Sequence, residues 1–479
     1  MRFCLLCCAL LSLSFFAVDL SLAADRAPNI VLILADDLGW SDLGCYGADL
    51  HETPFLDQFA RESLRFTDAY AMPVCSPTRA ALMTGKHAAR VHMTIWSEGS
   101  LSGPKNRVLL QADALHSLPR TETTLAKQLQ AAGYLTALIG KWHLGDADHY
   151  PETHGFDVNV GGTHWGAPHT FWWPYRGSGR FGTEFRYVPH MEFGKPGEYL
   201  TDRLTDEALD VIDRAGDQPF FLYLSHHAPH TPIEAKPADV EYYQAKLTPA
   251  MHHQNGVYAA MIKSLDESVG RVLAHLKHRD LDKQTIVVFL SDNGGFVGVD
   301  GKSGQAVPVT NNAPLRSGKG SCYEGGIRIP LLIRWPGVTR AGTVCHEPVV
   351  VMDLFSTLLA SAGLRLSPEN EVDGLDLRPL LTEPAGQLDR KTLFFHYPHY
   401  YATTTPVSAL RSGDWKLLEY YEDQQVELYN LKDDLGESTE LSRRHPEVVG
   451  KLRAELNTWR NDLQVALPKP NPDYQPSRK

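Results

Sequence analysis

One cysteine stands at the head of a run of helix formers, Cys75-Ser76-Pro77-Thr78-Arg79-Ala80-Ala81-Leu82-Met83-Thr84-Gly85. Ser76 is a good N-cap and Pro77 suits the first helical position, where its missing N–H costs nothing, so the spacing predicts a helix opening at residue 77. Cys75 then lies beside the positive end of a helix dipole, where free N–H groups hold anions and a thiol ionises easily. Arg79, one turn along, carries a fork suited to tetrahedral oxyanions. The chemistry suggested is a nucleophile set against an anionic group. Taken alone, the same residues also describe a capped helix with an incidental buried cysteine.

Other groups offer matching chemistry. Asp36, Asp37, Asp292 and Asn293 form an all-oxygen set without thiolate or imidazole, which favours a hard cation, Ca²⁺ or Mg²⁺, over zinc. The alternative for Asp36 and Asp37 is a solvated turn. Lys141 and His143, two apart on an extended segment, point the same way. His226, His227 and His230 cluster, but a zinc site needs more ligands and different neighbours. Lys319 sits among glycines, where a lysine is ordinarily a loop residue.

The elements that must position these groups are buried strands. Asn29–Ala35, Leu135–Ile139, Phe220–Ser225 and Thr285–Leu290 are apolar runs, and each ends abruptly in one of the polar groups above. Helices are expected over Thr124–Ala132 and Val257–His278. Such alternation predicts a mostly parallel sheet covered by helices on both faces, with crossovers of one hand bringing the polar loops to one edge. From about Gly386 the pattern changes to short strands at Leu393–Tyr397, Ser412–Glu419 and Glu427–Leu431, then a helix at Glu447–Leu463. This reads as a small antiparallel sheet with one helix, and the Pro-rich tail from Pro468 as extended.

Cys75-Ser76-Pro77-Thr78-Arg79 with its flanking Ala-Ala-Leu-Met-Thr-Gly resembles the type I sulfatase signature, and Gly140-Lys141-Trp142-His143-Leu144-Gly145 resembles the second signature of that family. Asp373-Gly374, Ser412-Gly413-Asp414-Trp415-Lys416 and Glu427-Leu428-Tyr429 match further recurring stretches, so the resemblance runs from about Pro28 to Leu441. It implies an alkaline-phosphatase-like α/β/α sandwich: a catalytic domain over 24–385 and a small C-terminal α+β subdomain over 386–479. It also implies that a maturase oxidises Cys75 to formylglycine, whose hydrate attacks sulfur to give a covalent sulfoenzyme. One Ca²⁺ is implied on Asp36, Asp37, Asp292 and Asn293; Arg79, Lys141 and Lys319 would neutralise sulfate. His230 would protonate the leaving oxygen and His143 would take a proton from the second hydroxyl, re-forming the aldehyde.

The stretch Gly161–Tyr175 is dense in aromatics, and His164, Trp165, Trp172 and Trp173 are candidates for holding sugar rings. A lid packed on the core is the equal alternative. The resemblance points to sulfated polysaccharide, with galactose or N-acetylgalactosamine 4-sulfate as the leading substrate. A phosphate monoester or phosphonate hydrolase on the same fold is one rival; a sulfated-glycan binding protein without turnover is the other.

Forty-six basic against 57 acidic residues, a net charge of −11, argue against nucleic acid as a partner. Arg2, the apolar Phe3–Ala17 and Ser21-Leu22-Ala23 read as a signal peptide over 1–23, with Asp19 and Ser21 speaking against a membrane anchor. The expected address is periplasmic or extracellular, and the absence of an Asn-x-Ser/Thr sequon favours a bacterial protein. Four cysteines follow the signal peptide, too few for a disulfide scaffold once Cys75 is set aside.

Overall fold

The structure, a computed structural model, describes residues 27–101, 106–180, 182–301, 306–365 and 370–476; the expected signal peptide lies outside them. A nine-stranded sheet forms the centre. Across it run Val349–Val350, Leu64–Tyr70, Arg328–Arg334, Thr285–Ser291, Asn29–Ala35, Phe220–Ser225, Leu135–Gly140 and Val158–Val160, with Thr343–Cys345 also beside Leu64–Tyr70. Arg328–Arg334 runs antiparallel to both its neighbours, and the other pairings are parallel.

Strand periodicity divides the interior in two. Ile30, Leu32 and Leu34 face one core together with Ala80–Met83, Leu125, Leu129 and Phe355. Val31, Ile33 and Ala35 face the other, with Leu56, Leu204, Leu265 and Val269. Helices Cys75–Thr84, Leu125–Ala131 and Asp353–Ser361 thus cover one face, and Pro54–Glu62, Leu200–Ala215 and Gly256–His278 the other. Both faces being covered explains why the central strands are apolar over most of their length, with the polar residues near their ends.

A separate sheet of four antiparallel strands follows, Thr392–Tyr397, Val407–Ser412, Trp415–Tyr420 and Val426–Asn430. The helix Pro446–Leu463 lays Leu452 and Leu456 onto its Leu410, Leu417 and Leu428. The strand expected over Ser412–Glu419 begins at Trp415; Ser412 ends the preceding strand, and Gly413, at φ 58°, makes the hairpin turn between the two with Asp414. The tail is extended as expected, Lys469–Pro470 pairing with Leu109–Leu110. No helix among the described residues is long and apolar enough to cross a membrane.

Candidate active site

Four neighbouring parallel strands, Thr285–Ser291, Asn29–Ala35, Phe220–Ser225 and Leu135–Gly140, end on one edge and hand over to Asp292-Asn293, Asp36-Asp37, His226–His230 and Lys141–His143. The chain leaves each strand without losing its hydrogen bonds: Asp36 N–H donates to Ala228 O, Asp292 N–H to Ala35 O and Lys141 N–H to Ser225 O at 2.7–3.1 Å. Gly140, at φ 105°, lets the backbones close, since a Cβ there would lie 2.0 Å from Ser225 O. Asp37 and His143 adopt left-handed backbone (φ 63° and 61°), costly for these residues and held by the surrounding framework.

The helix that begins at Cys75 spans Cys75–Thr84 with Val74 as its N-cap, so it opens two residues before the expected start at Pro77. No side chain caps it. The Ser76 hydroxyl instead donates to His143 O at 2.8 Å, tying the helix to the second signature, and Thr78 Oγ1 accepts from Met72 N–H. Pro77 falls in the first turn, where its missing N–H still costs nothing.

Around Cys75 the charges interlock. Lys141 Nζ lies 2.7 Å from Asp36 Oδ2, and Lys319 Nζ lies 2.7 and 2.9 Å from the two Asp37 oxygens. Arg79 holds Asp292 Oδ2 with Nε and Nη2 at 3.1 and 2.8 Å, and gives Nη1 to Lys141 O and Ser225 Oγ. Asn293 Nδ2 donates to Asp37 Oδ1, and His230 Nε2 lies 3.5 Å from Asp37 Oδ2. Burial pushes the Asp36 carboxyl well up despite Lys141. Burial acts on Asp37 in the same sense, but Lys319 and His230 overcome it and hold that carboxyl low. Burial would also raise the Cys75 thiol; Lys141, Lys319 and His143 outweigh it and bring it down to about 6. His230 is pushed down to about 3 by burial and is therefore neutral, with Asp37 opposing the shift.

These residues fit a hard dication. Asp36 Oδ1 and Asn293 Oδ1 are buried without hydrogen-bond partners, and the donors are all oxygen. The three carboxylates are balanced by Arg79, Lys141 and Lys319, so a dication leaves the site positive, as an anionic substrate requires.

Asp37, Cys75, His143, His230 and Lys319 line a cavity of about 270 Å³. Asp36, Arg79, Lys141, Asp292 and Asn293 lie beneath it, each fully buried. Arg79, expected to face an oxyanion, is spent on Asp292 and on backbone. Of the four aromatic candidates, His164 stacks on Tyr150 and lies tilted against Trp165, and Trp165 lies under the Arg186 guanidinium at 4.8 Å. Trp172 packs on Tyr199, and Trp173 lines a separate recess with Phe185 and Tyr187; none of the four candidates lines the cavity. The wall is built instead by Trp96, Glu98, Arg186, Phe296 and Tyr401, none singled out from the sequence. Glu98 Oε2 lies 3.4 Å from His143 Nε2, and its Oε1 3.6 Å from Arg186 Nη2.

Fold and site together define a hydrolase of anionic esters with the alkaline-phosphatase-like architecture. The chain belongs to the sulfatase family, as a type I sulfatase, a sulfuric ester hydrolase: the family model described as Sulfatase matches residues 28–364, and that described as N-sulphoglucosamine sulphohydrolase, C-terminal, residues 318–462. A sulfatase of Formosa agariphila is 33% identical, covering 91% of this chain and 89% of the relative. Human N-acetylgalactosamine-6-sulfatase is 33% identical over 94% of this chain and 88% of its own. Among solved structures, Ps i-CgsB in complex with k-i-k-neocarrahexaose is similar at TM-score 0.76 and 29% identity, covering 94% and 95% of the two chains.

Proposed function

We propose that the chain removes sulfate from a galactose-type sugar of a sulfated glycan, using formylglycine made from Cys75 by a maturase. The observation that carries this reading is the placing of Cys75 at a helix N-terminus, on the wall of a cavity it shares with Lys319, His143 and His230. The names of the relatives support the sugar class. Asp36, Asp37, Asp292 and Asn293 would hold Ca²⁺, which supplies fixed positive charge against the sulfate oxygens. The hydrated aldehyde at position 75 supplies a hydroxyl nucleophile and, through its second hydroxyl, a way to release the product.

Each side chain has its own task. Lys319 reaches the cavity and meets the charge of the sulfate, while Lys141 and Arg79 act from below by fixing Asp36 and Asp292. His230, in the cavity beside Asp37, hands a proton to the leaving sugar oxygen as the imidazolium, a form that the bound sulfate anion and Asp37 favour, and returns to the neutral ring. His143 adjoins position 75, close enough to bond the Cys75 thiol, so it takes the proton of the second hydroxyl. The test is sulfate release from monosulfated galactose and N-acetylgalactosamine, 4- and 6-sulfated, by protein co-expressed with a maturase. Conversion is read by mass on the peptide Phe66–Arg79. Cys75→Ala keeps the fold and releases nothing. Release of phosphate but not sulfate from matched esters, with conversion confirmed, would overturn the reading.

A further inference from the structure

Outside the catalytic cavity, Asp42, His51 and His253 meet in the interior, each at least nine-tenths buried, with one potential ligand atom from each lying within 4.8 Å of the others. Asp42, in the turn after the first strand, and His51, in the stretch before helix Pro54–Glu62, lie nine residues apart, and His253 comes from far along the chain, in the stretch before helix Gly256–His278. His253 Nε2 lies 3.1 Å from Asp42 Oδ1. The opposite nitrogen, Nδ1, is held by the Asp49 carboxylate. A carboxylate behind a histidine, fixing its ring and raising its basicity, is the usual second layer of a metal site. His51 Nδ1 lies 2.9 Å from the Asp42 carbonyl and 3.7 Å from Asp42 Oδ1, and burial keeps the ring neutral, its pKa down to about 4 despite Asp42. The charge is also short of balance. Among the described residues, the only ion-pair partners of Asp42 and Asp49 are these two histidines. One imidazolium offsets half of two carboxylates, whereas a dication offsets both.

We propose that Asp42, His51 and His253 form a second cation site, for Zn²⁺ or a cation of like preference, distinct from the oxygen-lined site at Asp36 and Asp37. Two imidazoles and one carboxylate oxygen suit a borderline cation in tetrahedral coordination, with a fourth place for water, and suit Ca²⁺ poorly. Asp42 keeps its other bonds: Oδ1 accepts from Thr310 Oγ1 and Oδ2 from Gly39 N–H and from Tyr258. Tyr258 links the two sites, its hydroxyl lying 2.7 Å from Asp42 Oδ2 and 3.0 Å from the main-chain oxygen of Asp37. A cation here would brace the loop that carries Asp36 and Asp37.

The test uses the full chain, purified without a histidine tag, stripped of metal, saturated with Ca²⁺ and titrated with ZnCl₂ in a calorimeter. One equivalent of Zn²⁺ is expected to bind; His253→Ala abolishes it, and Asp49→Asn weakens it by about 10–100-fold. Co²⁺ in place of Zn²⁺ should give the intense visible bands of a tetrahedral ion. If His253→Ala fails to fold, Asp49→Asn and the Co²⁺ spectrum of the unaltered protein decide. No uptake by the Ca²⁺-saturated protein, equal uptake by the variants, or only the weak bands of octahedral Co²⁺ would each overturn the proposal.

Discussion

Lys416→Met removes one cation from a buried triad that joins the two sheets. Lys416 Nζ lies 2.8 Å from Glu324 Oε1 and 2.8 Å from Glu437 Oε1, and none of the three side chains is exposed. Glu324 retains Arg328 at 3.2 Å and the Tyr70 hydroxyl at 2.8 Å, but among the described residues the Glu437 carboxylate keeps only the Glu324 N–H. Breaking a buried pair from one side costs about 3–5 kcal/mol because the remaining charge has nowhere to go. Against a total stability of about 5–15 kcal/mol that is a large share. Burial already pushes the Glu437 carboxyl up to about 7 with Lys416 present, from an ordinary 4.5. A carboxyl raised in the folded state penalises folding above its folded pKa, and the penalty fades as pH falls toward the unfolded value. The deficit of Lys416→Met against the unaltered protein is therefore larger at about pH 8 than at about pH 5. Urea unfolding followed by tryptophan fluorescence at both pH values measures it. A loss below about 1 kcal/mol at the higher pH, or one that grows on acidification, would refute the reasoning.

Gly166→Ala would bring a Cβ to 2.4 Å from His143 Cε1 and 2.6 Å from Nε2. Displacing that ring by about 1 Å should cost about 10²-fold in kcat, and unchanged turnover would show that the ring does not need its place. Protein made without a maturase keeps the Cys75 thiol, and its alkylation by iodoacetamide should be half-maximal near pH 6, the thiolate persisting above it. Cys45, Cys322 and Cys345 are held near 12, 12 and 11 by burial, so mass mapping should find the label on Cys75; a midpoint near the ordinary 8.5 would contradict the cationic surroundings described.

What the sequence could show follows from how each part is built. The strand ends were legible because a fully covered parallel strand needs apolar residues throughout, so the first polar residue marks the edge of the sheet: Asp36, Lys141, His226 and Asp292 all stand there. The helix start was misplaced by two residues because its cap is made by extended backbone at Val74, and backbone leaves no residue signature. The hairpin at Gly413-Asp414 was hidden because the residues on either side share one strand-like composition. The cavity wall was least legible. Glu98, Arg186 and Tyr401 come from three distant loops, and nothing in their local patterns states that they meet. Trp172 and Trp173 drew attention by aromatic density, yet density alone does not separate a sugar platform from a loop packed on Tyr199. Asp42 carries the same lesson inward. It lies five residues beyond Asp37, in a turn whose composition explains it, and only the fold brings it to His51 and His253. Most of the candidate catalytic groups could be read because they stand at strand ends, and Cys75 because it opens a helix, whereas the cavity wall and the Asp42 cluster depend on which loops the fold brings together.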